Sequence, residues 1–233
     1  MPRSKRSKLV TLAQTDKKGK ENKERIFDDV RSALDTYRYV WVLQLDDVRT
    51  PVLQEIRQAW TGSKLIMGKR RVLQKALGDT VEEEYKDNLS QLAKECDKGL
   101  PGLLFTNEDA DTVKEYFDTY VKADYSRAKS QAPLDFTIPS GIVYSRGGQI
   151  PAEDDVPMAH SLEETLRNKF KIPTKMKQGK ITIAEPYHVC SKGDVLDVRQ
   201  ALILKQFGIA ADEFKVGMVA WYDGESNEVT KIE

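Results

Sequence analysis

The segment from residue 39 to residue 77 constrains the fold more than any other part of the chain. Its sequence is YVWVLQLDDVRTPVLQEIRQAWTGSKLIMGKRRVLQKAL. β-Branched and aromatic residues predict one strand over 39–45 and a second over 63–67. Thr50 and Pro51 mark the start of a helix between them, and a basic helix follows the second strand. Strands and helices that alternate at this length predict a layered α/β domain.

The junction between the second strand and the basic helix predicts a site for an anion. Gly68 ends the strand. Lys69, Arg70 and Arg71 then occupy the first turn of the helix, where the helix dipole disfavours positive charge. Free N–H groups at the same position suit a phosphate. A bound phosphate would offset the unfavourable charge, and a glycine would let it approach the backbone closely.

The stretch GSKLIMGKR at residues 62–70 resembles a nucleotide-binding loop at first sight. Five residues separate its two glycines where that loop requires four, and Arg70 stands where a magnesium-binding Ser or Thr is required. Residues 63–67 are also apolar enough to form a buried strand. Nucleotide hydrolysis is therefore disfavoured, and a polyphosphate backbone is the better anion.

Charged residues are distributed unevenly, although the net charge of the chain is zero. Residues 1–75 carry 18 Lys and Arg against 9 Asp and Glu, and the remaining 158 residues carry 19 against 28. This asymmetry indicates one end that binds a polyanion and one end that is kept away from it. A solvated basic tail beside an acidic surface is the alternative, but many of the cations lie inside the folded pattern.

The basic residues of the first part of the chain are the candidate nucleic-acid contacts. Arg71 and Lys75 share one helix face at i,i+4, while Leu73 and Leu77 turn towards the core. Guanidinium groups suit bidentate phosphate contacts, and lysine acts as a point charge. A merely soluble helix face remains the alternative, although such faces normally mix both signs of charge. The complete candidate set is Lys5, Arg6, Lys8, Arg49, Arg57, Lys64, Gly68, Lys69, Arg70, Arg71 and Lys75.

Residues 1–22 are polar, basic and nearly free of aromatic side chains, which predicts a flexible tail. Its cluster at residues 3–8 suits nuclear import or RNA contact, and composition does not separate the two. No apolar run approaches the roughly 20 residues of a membrane span, so we expect no membrane partner. The N-terminus lacks the apolar core of a secretory signal. The two cysteines, Cys96 and Cys190, are expected to be reduced thiols in an intracellular protein.

Residues suited to catalysis or metal binding are few. His160 and His188 are the two histidines, and neither has a metal-ligand partner at i+4 or a nucleophile signature. His188 and Cys190 share one face of a strand, which is more typical of packing than of catalysis. Asp46 and Asp47 are more typical of a solvated loop than of a metal site. We therefore expect no catalytic residue, no bound metal and no cofactor.

The sequence after residue 78 predicts further elements with less regularity. Thr80 and Glu83 have capping-box spacing ahead of a helix through Leu89 and Leu92. Residues 126–158 are rich in Pro, Gly and Ser, which marks a change of character. The later elements expected are a strand at 180–183, a helix at about 195–207, a strand at 215–222 and a flexible C-terminus at 223–233.

Four segments carry a resemblance to a known family, and they are LVTLAQT at 9–15, VRTPVLQEIR at 48–57, LIMGKRRVLQKAL at 65–77 and IPTKMKQGKITI at 172–183. Over nearly its whole length the chain resembles the stalk-base protein family of the large ribosomal subunit and the assembly factors related to it. A glycine and a lysine that open a basic helix are the hallmark of that family. Asn-Thr usually follows them, where this chain has Arg70-Arg71, and the arginines retain a phosphate-facing role.

The resemblance implies an α/β RNA-binding domain of the ribosomal stalk-base type, formed by residues 23–130 with 195–222. A smaller inserted α+β domain, residues 131–194, would interrupt it. The implied function is a non-enzymatic factor that binds large-subunit rRNA of the GTPase-associated region in a pre-ribosomal particle, beside a neighbouring ribosomal protein. A phosphatase-like release factor would later help the mature stalk-base protein replace it. The implied location is the nucleus and nucleolus, with shuttling to the cytoplasm left open.

Mature members of the family continue into helices that bind acidic stalk dimers, whereas this sequence stops eleven residues after Tyr222. We therefore expect a placeholder that occupies the rRNA site without binding the stalk dimers. A permanent structural ribosomal protein and an enzyme of RNA turnover are the alternatives. The enzyme is disfavoured because the sequence offers no acid–base pair or metal cluster.

Overall fold

A computed structural model describes residues 19–97 and 99–232 of the chain. Its elements in chain order are α1 (Lys20–Thr36), β1 (Tyr39–Gln44), α2 (Thr50–Ala59), β2 (Lys64–Met67), α3 (Arg70–Leu77), α4 (Leu89–Glu95), β3 (Pro101–Thr106), α5 (Ala110–Thr119), β4 (Val121–Asp124), β5 (Phe136–Ile138), β6 (Gly141–Ile142), β7 (Thr174–Lys177), β8 (Lys180–Ile183), β9 (Tyr187–Cys190), α6 (Val198–Gln206), β10 (Asp212–Lys215), β11 (Gly217–Asp223) and β12 (Glu228–Lys231). A 3-10 turn at His160–Leu162 and a π-helical turn at Thr165–Lys169 complete them. The chain forms two compact units, which divide after Phe117 and before Val216.

The first unit is built on one sheet with the strand order β12-β11-β1-β3-β2. Each neighbouring pair in it is antiparallel. Strands β1 and β2 lie on either side of β3 and therefore run parallel to each other, with α2 as the crossover between them. Since both strands end at the same end of the sheet, the N-termini of α2 and α3 lie there as well.

One face of this sheet carries the main apolar core of the first unit. Inward side chains of the sheet, such as Val40 and Phe105, pack with Leu34 of α1, Leu73 of α3 and Leu92 of α4. The strand pattern predicts this arrangement, because β1 is buried on both faces and reads as a continuous apolar run. Helices α1, α3 and α4 therefore form one layer.

Aromatic side chains form the core on the opposite face of the sheet. The rings of Trp41 and Trp221 stack with their centroids 5.5 Å apart, and the Lys114 ammonium of α5 lies 5.7 Å from the Trp221 ring. Trp60, which follows α2, stacks on Phe117 of α5 with centroids 5.9 Å apart. Helices α2 and α5 thus cover this face, and the unit is a three-layer α/β/α sandwich, which confirms the predicted α/β class.

The second unit has its own core and its own small sheets. Two sheets are the pairs β5–β9 and β10–β4, and the third has the strand order β6-β8-β7. We expected the helix near residues 195–207 to return to the first domain, and that expectation is wrong. Ile203 and Leu204 of α6 are buried in the core of the second unit, together with Phe207. The chain returns to the first unit only at Val216.

Two further expectations are corrected close to the sheet of the first unit. Residues 228–231 form β12 and pair with β11, so the described part of the C-terminus is a hairpin rather than a flexible tail. The helix expected after Thr80 begins only at Leu89. Its N-terminal N–H groups at Asn88 and Ser90 donate to the Glu84 carboxylate at 3.0 and 2.8 Å. Glu84, and not Thr80, therefore provides the cap.

Within residues 19–97 and 99–232, every helix is too short or too polar to cross a membrane.

Replacing Gly78 by alanine is expected to destabilise the first unit by about 2 kcal/mol or more, because two costs combine. Gly78 follows α3 with a φ of 116°, a conformation that side chains disfavour. A Cβ there would also lie 2.5 Å from the backbone Cα of Glu84. Urea unfolding followed by tryptophan fluorescence measures this, since the three tryptophans all lie in the first unit.

The matched control is Gly62→Ala, because a Cβ at Gly62 meets nothing within 4 Å and its φ is ordinary. The control should change the unfolding free energy by less than about 0.5 kcal/mol. Equal effects of the two substitutions would contradict the assigned role of Gly78.

Candidate nucleic-acid interface

An open groove between α1 and α3 brings together four cations of the first unit. Its walls carry Lys20 and Lys23 from α1 and Arg71 and Lys75 from α3, and its volume is about 800 Å³. The predicted i,i+4 pairing of Arg71 and Lys75 on one helix face agrees with this geometry. Phe27 and Val72 form the apolar floor of the groove.

The groove is cationic on balance but not purely cationic. Glu24 and Asp28 of α1 also line it, against four cations. Lys20 pairs with Glu24 at 3.3 Å, but both side chains are largely exposed, so water and salt screen this interaction. Residues 69–75 contain no acid, but the sequence pattern did not show which residues of α1 lie opposite them.

Aromatic and guanidinium groups stack beside the groove. The guanidinium of Arg31 lies 4.2 Å from the centroid of the Phe27 ring and 5.0 Å from that of Tyr85. Its Nε atom is buried without a hydrogen-bond partner. The Tyr85 hydroxyl donates to Asp35 of α1 at 2.7 Å. Arg31 therefore packs against the Phe27 ring, which lines the groove, and against the Tyr85 ring.

Close packing around Gly68 gives a reason for glycine at this position that the sequence did not show. A Cβ at this position would lie 3.1 Å from Cγ2 of Ile26 and 3.2 Å from Cδ2 of Leu73. The missing side chain therefore makes room for Ile26 of α1 and Leu73 of α3, and a phosphate close to Gly68 stays a prediction. The φ of Gly68 is also not in the left-handed region, so conformational freedom does not explain the glycine.

Two of the predicted cations have acidic partners in the structure. The Lys64 ammonium lies 2.9 Å from a carboxylate oxygen of Asp29 on α1. The Arg70 guanidinium donates to the backbone carbonyl of Asp97 and lies 3.6 Å from its carboxylate. Both pairs are about half exposed, so they cost little to open. The first pair joins β2 to α1, and the second joins α3 to the segment that follows α4.

The remaining predicted cations do not form one surface. Lys69 is exposed immediately before α3, and Arg49 immediately precedes α2, so both lie at the end of the sheet where β1 and β2 end. Arg57 lies in the last turn of α2, in the layer on the other side of the sheet from α1 and α3. The structure therefore separates Arg57 from the groove. Lys5, Arg6 and Lys8 lie outside the described residues.

Lys20 and Lys23 are the groove residues that the sequence analysis missed. The flexible tail was expected over residues 1–22, which placed Lys20 in it, and Lys23 was not among the candidate contacts. Helix α1 begins at Lys20. The spacing of Lys20, Lys23 and Phe27 at three and four residues was the signal available, since such residues share a helix face.

The cysteines and His188, which were considered for catalysis, lie in buried or hydrogen-bonded positions. Burial raises the pKa of the Cys96 thiol to about 12, and burial likewise raises the pKa of Cys190. His188 lies between two hydroxyl groups, 3.0 Å from Thr137 Oγ1 and 3.1 Å from Ser191 Oγ. Throughout residues 19–97 and 99–232, no three His, Cys, Asp or Glu side chains are grouped to hold a metal ion.

Comparison of the sequence with known proteins identifies the family of this chain. A model described as ribosomal protein L10 matches residues 18–122, and a model of the insertion domain in the corresponding 60S ribosomal protein matches residues 126–209. The protein named ribosome assembly factor MRT4 in Saccharomyces cerevisiae is 76% identical over 98% of this chain and 97% of its own length. This chain belongs to the ribosomal protein L10 family, in its MRT4 group.

Two further relatives are less similar to this chain. Ribosome assembly factor mrt4 of Schizosaccharomyces pombe is 45% identical over 98% of this chain and 94% of its own length. Large ribosomal subunit protein uL10 of Neurospora crassa is 27% identical over 87% of this chain and 59% of its own length. The L10 match contains α1, α3 and the groove between them, and the insertion-domain match contains α6, in agreement with the core of the second unit.

Removing three groove cations together, by Lys23→Ala, Arg71→Ala and Lys75→Ala, is expected to weaken binding of an rRNA fragment from the GTPase-associated region. The slope of log affinity against log salt concentration should become shallower by about two units, since each lost phosphate contact removes roughly 0.7 to 0.9. Filter binding at several salt concentrations measures both effects.

Arg57→Ala is the matched control, because this cation is exposed but lies in the other helical layer. It should leave affinity and salt slope nearly unchanged. If Arg57→Ala weakened binding as much as Arg71→Ala alone, the groove would not be the interface.

Proposed function

We propose that this protein is a non-enzymatic assembly factor of the large ribosomal subunit. The observation that carries the proposal is the 76% identity, over almost the full length of both chains, to a protein named ribosome assembly factor. Burial raises the pKa of the Cys96 and Cys190 thiols, which makes them poor nucleophiles and supports a non-enzymatic role. An RNA-turnover enzyme is therefore the weaker alternative.

The proposed ligand is the rRNA of the GTPase-associated region, with the groove between α1 and α3 as the main contact. Lys20, Lys23, Arg71 and Lys75 present four cations around an apolar floor, which suits a phosphate backbone with exposed bases. Association with a polyanion also reduces the repulsion between these cations. The RNA contact is then mainly electrostatic and depends strongly on salt.

The protein is proposed to act as a placeholder for the mature stalk-base protein. The support is the relation to uL10, which extends over 87% of this chain and includes the region of the groove. Two proteins that use the same framework for one rRNA site exclude each other. As the family resemblance implies, the proposal assigns recruitment of acidic stalk dimers to uL10 and not to this protein.

The proposal includes a cellular setting and further partners. The protein would join pre-ribosomal particles in the nucleus and nucleolus, beside a neighbouring ribosomal protein at the stalk base. A phosphatase-like release factor would help to remove it, and the particle would carry it towards the cytoplasm if removal is late. These partners follow from the family resemblance, and the basic groove is the surface that the rRNA would occupy.

Fractionation of cell extracts separates the placeholder from a permanent ribosomal protein, the alternative that the similarity to uL10 favours. In sucrose gradients of nuclear and cytoplasmic extracts, the protein should sediment with nuclear large-subunit precursors and be depleted from translating ribosomes. The mature stalk-base protein in the same gradients is the control and should show the reverse distribution. Stoichiometric presence of this protein on translating ribosomes would contradict the proposal.

A further inference from the structure

The second unit contains a basic hairpin that the charge distribution of the whole chain conceals. Between residues 165 and 184 the sequence contains no Asp or Glu, and its cations are Arg167, Lys169, Lys171, Lys175, Lys177 and Lys180. The last three lie on β7 and β8, which form a hairpin with Gln178 and Gly179 at its turn. Both turn residues have positive φ, 49° and 76°, as a tight two-residue hairpin requires.

The register of this hairpin places its lysines on one face. Thr174 pairs with Ile183 and Met176 pairs with Ile181, and this face supplies the buried side chains Thr174, Ile181 and Ile183. Side chains alternate along a strand, so Lys175, Lys177 and Lys180 share the opposite face with Thr182. All three lysines are exposed there. Ile142 of the neighbouring strand β6, which pairs with Thr182, completes a shallow depression of about 550 Å³ with Lys177 and Lys180.

Two of these lysines lie directly opposite each other. Lys177 pairs with Lys180 across the hairpin, an arrangement of like charges that is unfavourable in a sheet. In the part of the chain that the structure describes, no carboxylate forms an ion pair with either of them, although Arg167 nearby pairs with Glu163 at 3.6 Å. The hairpin therefore presents an uncompensated positive charge, which a polyanion would stabilise.

We propose that the solvent face of the β7–β8 hairpin, with Lys175, Lys177 and Lys180, is a second RNA-binding surface that contacts the phosphate backbone. The inference rests on the proposed function, since it takes rRNA as the polyanion. It also revises the expectation from the charge distribution that the part of the chain after residue 75 is kept away from RNA. A net negative charge over 158 residues does not describe the local potential at one hairpin face that carries three lysines and no acid.

RNA fits this face better than an acidic protein does. Protein–protein interfaces are depleted of lysine at their centres and rely on buried apolar and aromatic anchors. This face has three lysines and a threonine, with only the half-buried Ile142 beside them. Nucleic-acid interfaces are instead polar and strongly positive. Lysine acts as a point charge and reads no base edge here, so binding should be independent of sequence.

The test removes the charges from the full-length protein with the triple variant Lys175→Ala, Lys177→Ala and Lys180→Ala. Binding to the rRNA fragment of the GTPase-associated region should weaken about tenfold at about 0.15 M salt, and the salt slope should become shallower by about two units. The matched control, Lys175→Arg with Lys177→Arg and Lys180→Arg, keeps the charges and should bind at least as tightly as the unmodified protein. Circular dichroism checks the fold, and Lys177→Ala alone provides a milder variant that relieves the opposed pair.

The possible outcomes separate this inference from the proposed function. If the alanine triple variant binds RNA normally while the groove variant Lys23→Ala, Arg71→Ala, Lys75→Ala binds weakly, the hairpin inference is wrong and the proposed function stands. If the unmodified protein does not bind the fragment at all, both are wrong. If the alanine variant loses binding to poly-glutamate but not to RNA, the hairpin binds an acidic protein and the inference is overturned.

Discussion

The close contact between α1 and the corner that joins β2 to α3 is the constraint on which the candidate interface depends. Ile26 lies against Gly68 at this corner, where any side chain would press on it. Lys64 at the start of β2 pairs with Asp29, one turn further along α1. These two contacts and the shared core fix α1 beside α3. The four groove cations are therefore held together by apolar packing, despite their mutual repulsion, and the surface exists before any RNA binds.

Local charge describes this protein better than its net charge does. The chain has no net charge, yet the groove of the first unit has four cations against two acids, and the lysine face of the hairpin in the second unit carries no acid. Because charges at exposed sites are screened within about 8–10 Å at physiological salt, acids elsewhere in the chain have little effect on either surface. Two cationic surfaces on separate units would let one protein contact an extended rRNA at two places, with the avidity that linked sites provide.

The parts of the fold that sequence predicted are those with strong local signals. The strand at Tyr39, the helix opened by Thr50 and Pro51 and the basic helix after Gly68 all follow from periodicity and helix-start residues. The sequence did not show that α6 belongs to the second unit, because its apolar face suits either core. It also did not show that Glu84 caps α4. Glu84 lies four and six residues before its partners Asn88 and Ser90, so the contact depends on the conformation of the residues between them.

The candidate site was predictable only in part, for a related reason. Arg71 and Lys75 share a face because helical geometry is local, and this part of the prediction agrees with the structure. Which cations lie opposite them depends on how α1 packs against α3, a contact between segments far apart in the sequence, and so Lys20 and Lys23 were missed. The same packing explains Gly68, whose role was assigned to a phosphate while Ile26 occupies the adjacent space.

The central claim, that RNA binds across α1 and α3 on one side of the first unit, is tested most directly by amide hydrogen exchange. The full-length protein is compared free and bound to the rRNA fragment of the GTPase-associated region. The account predicts slower exchange in residues 20–27 and 69–75 on binding, with exchange in α2 around Arg57 unchanged. Protection of α2 with no change in α1 and α3 would contradict it.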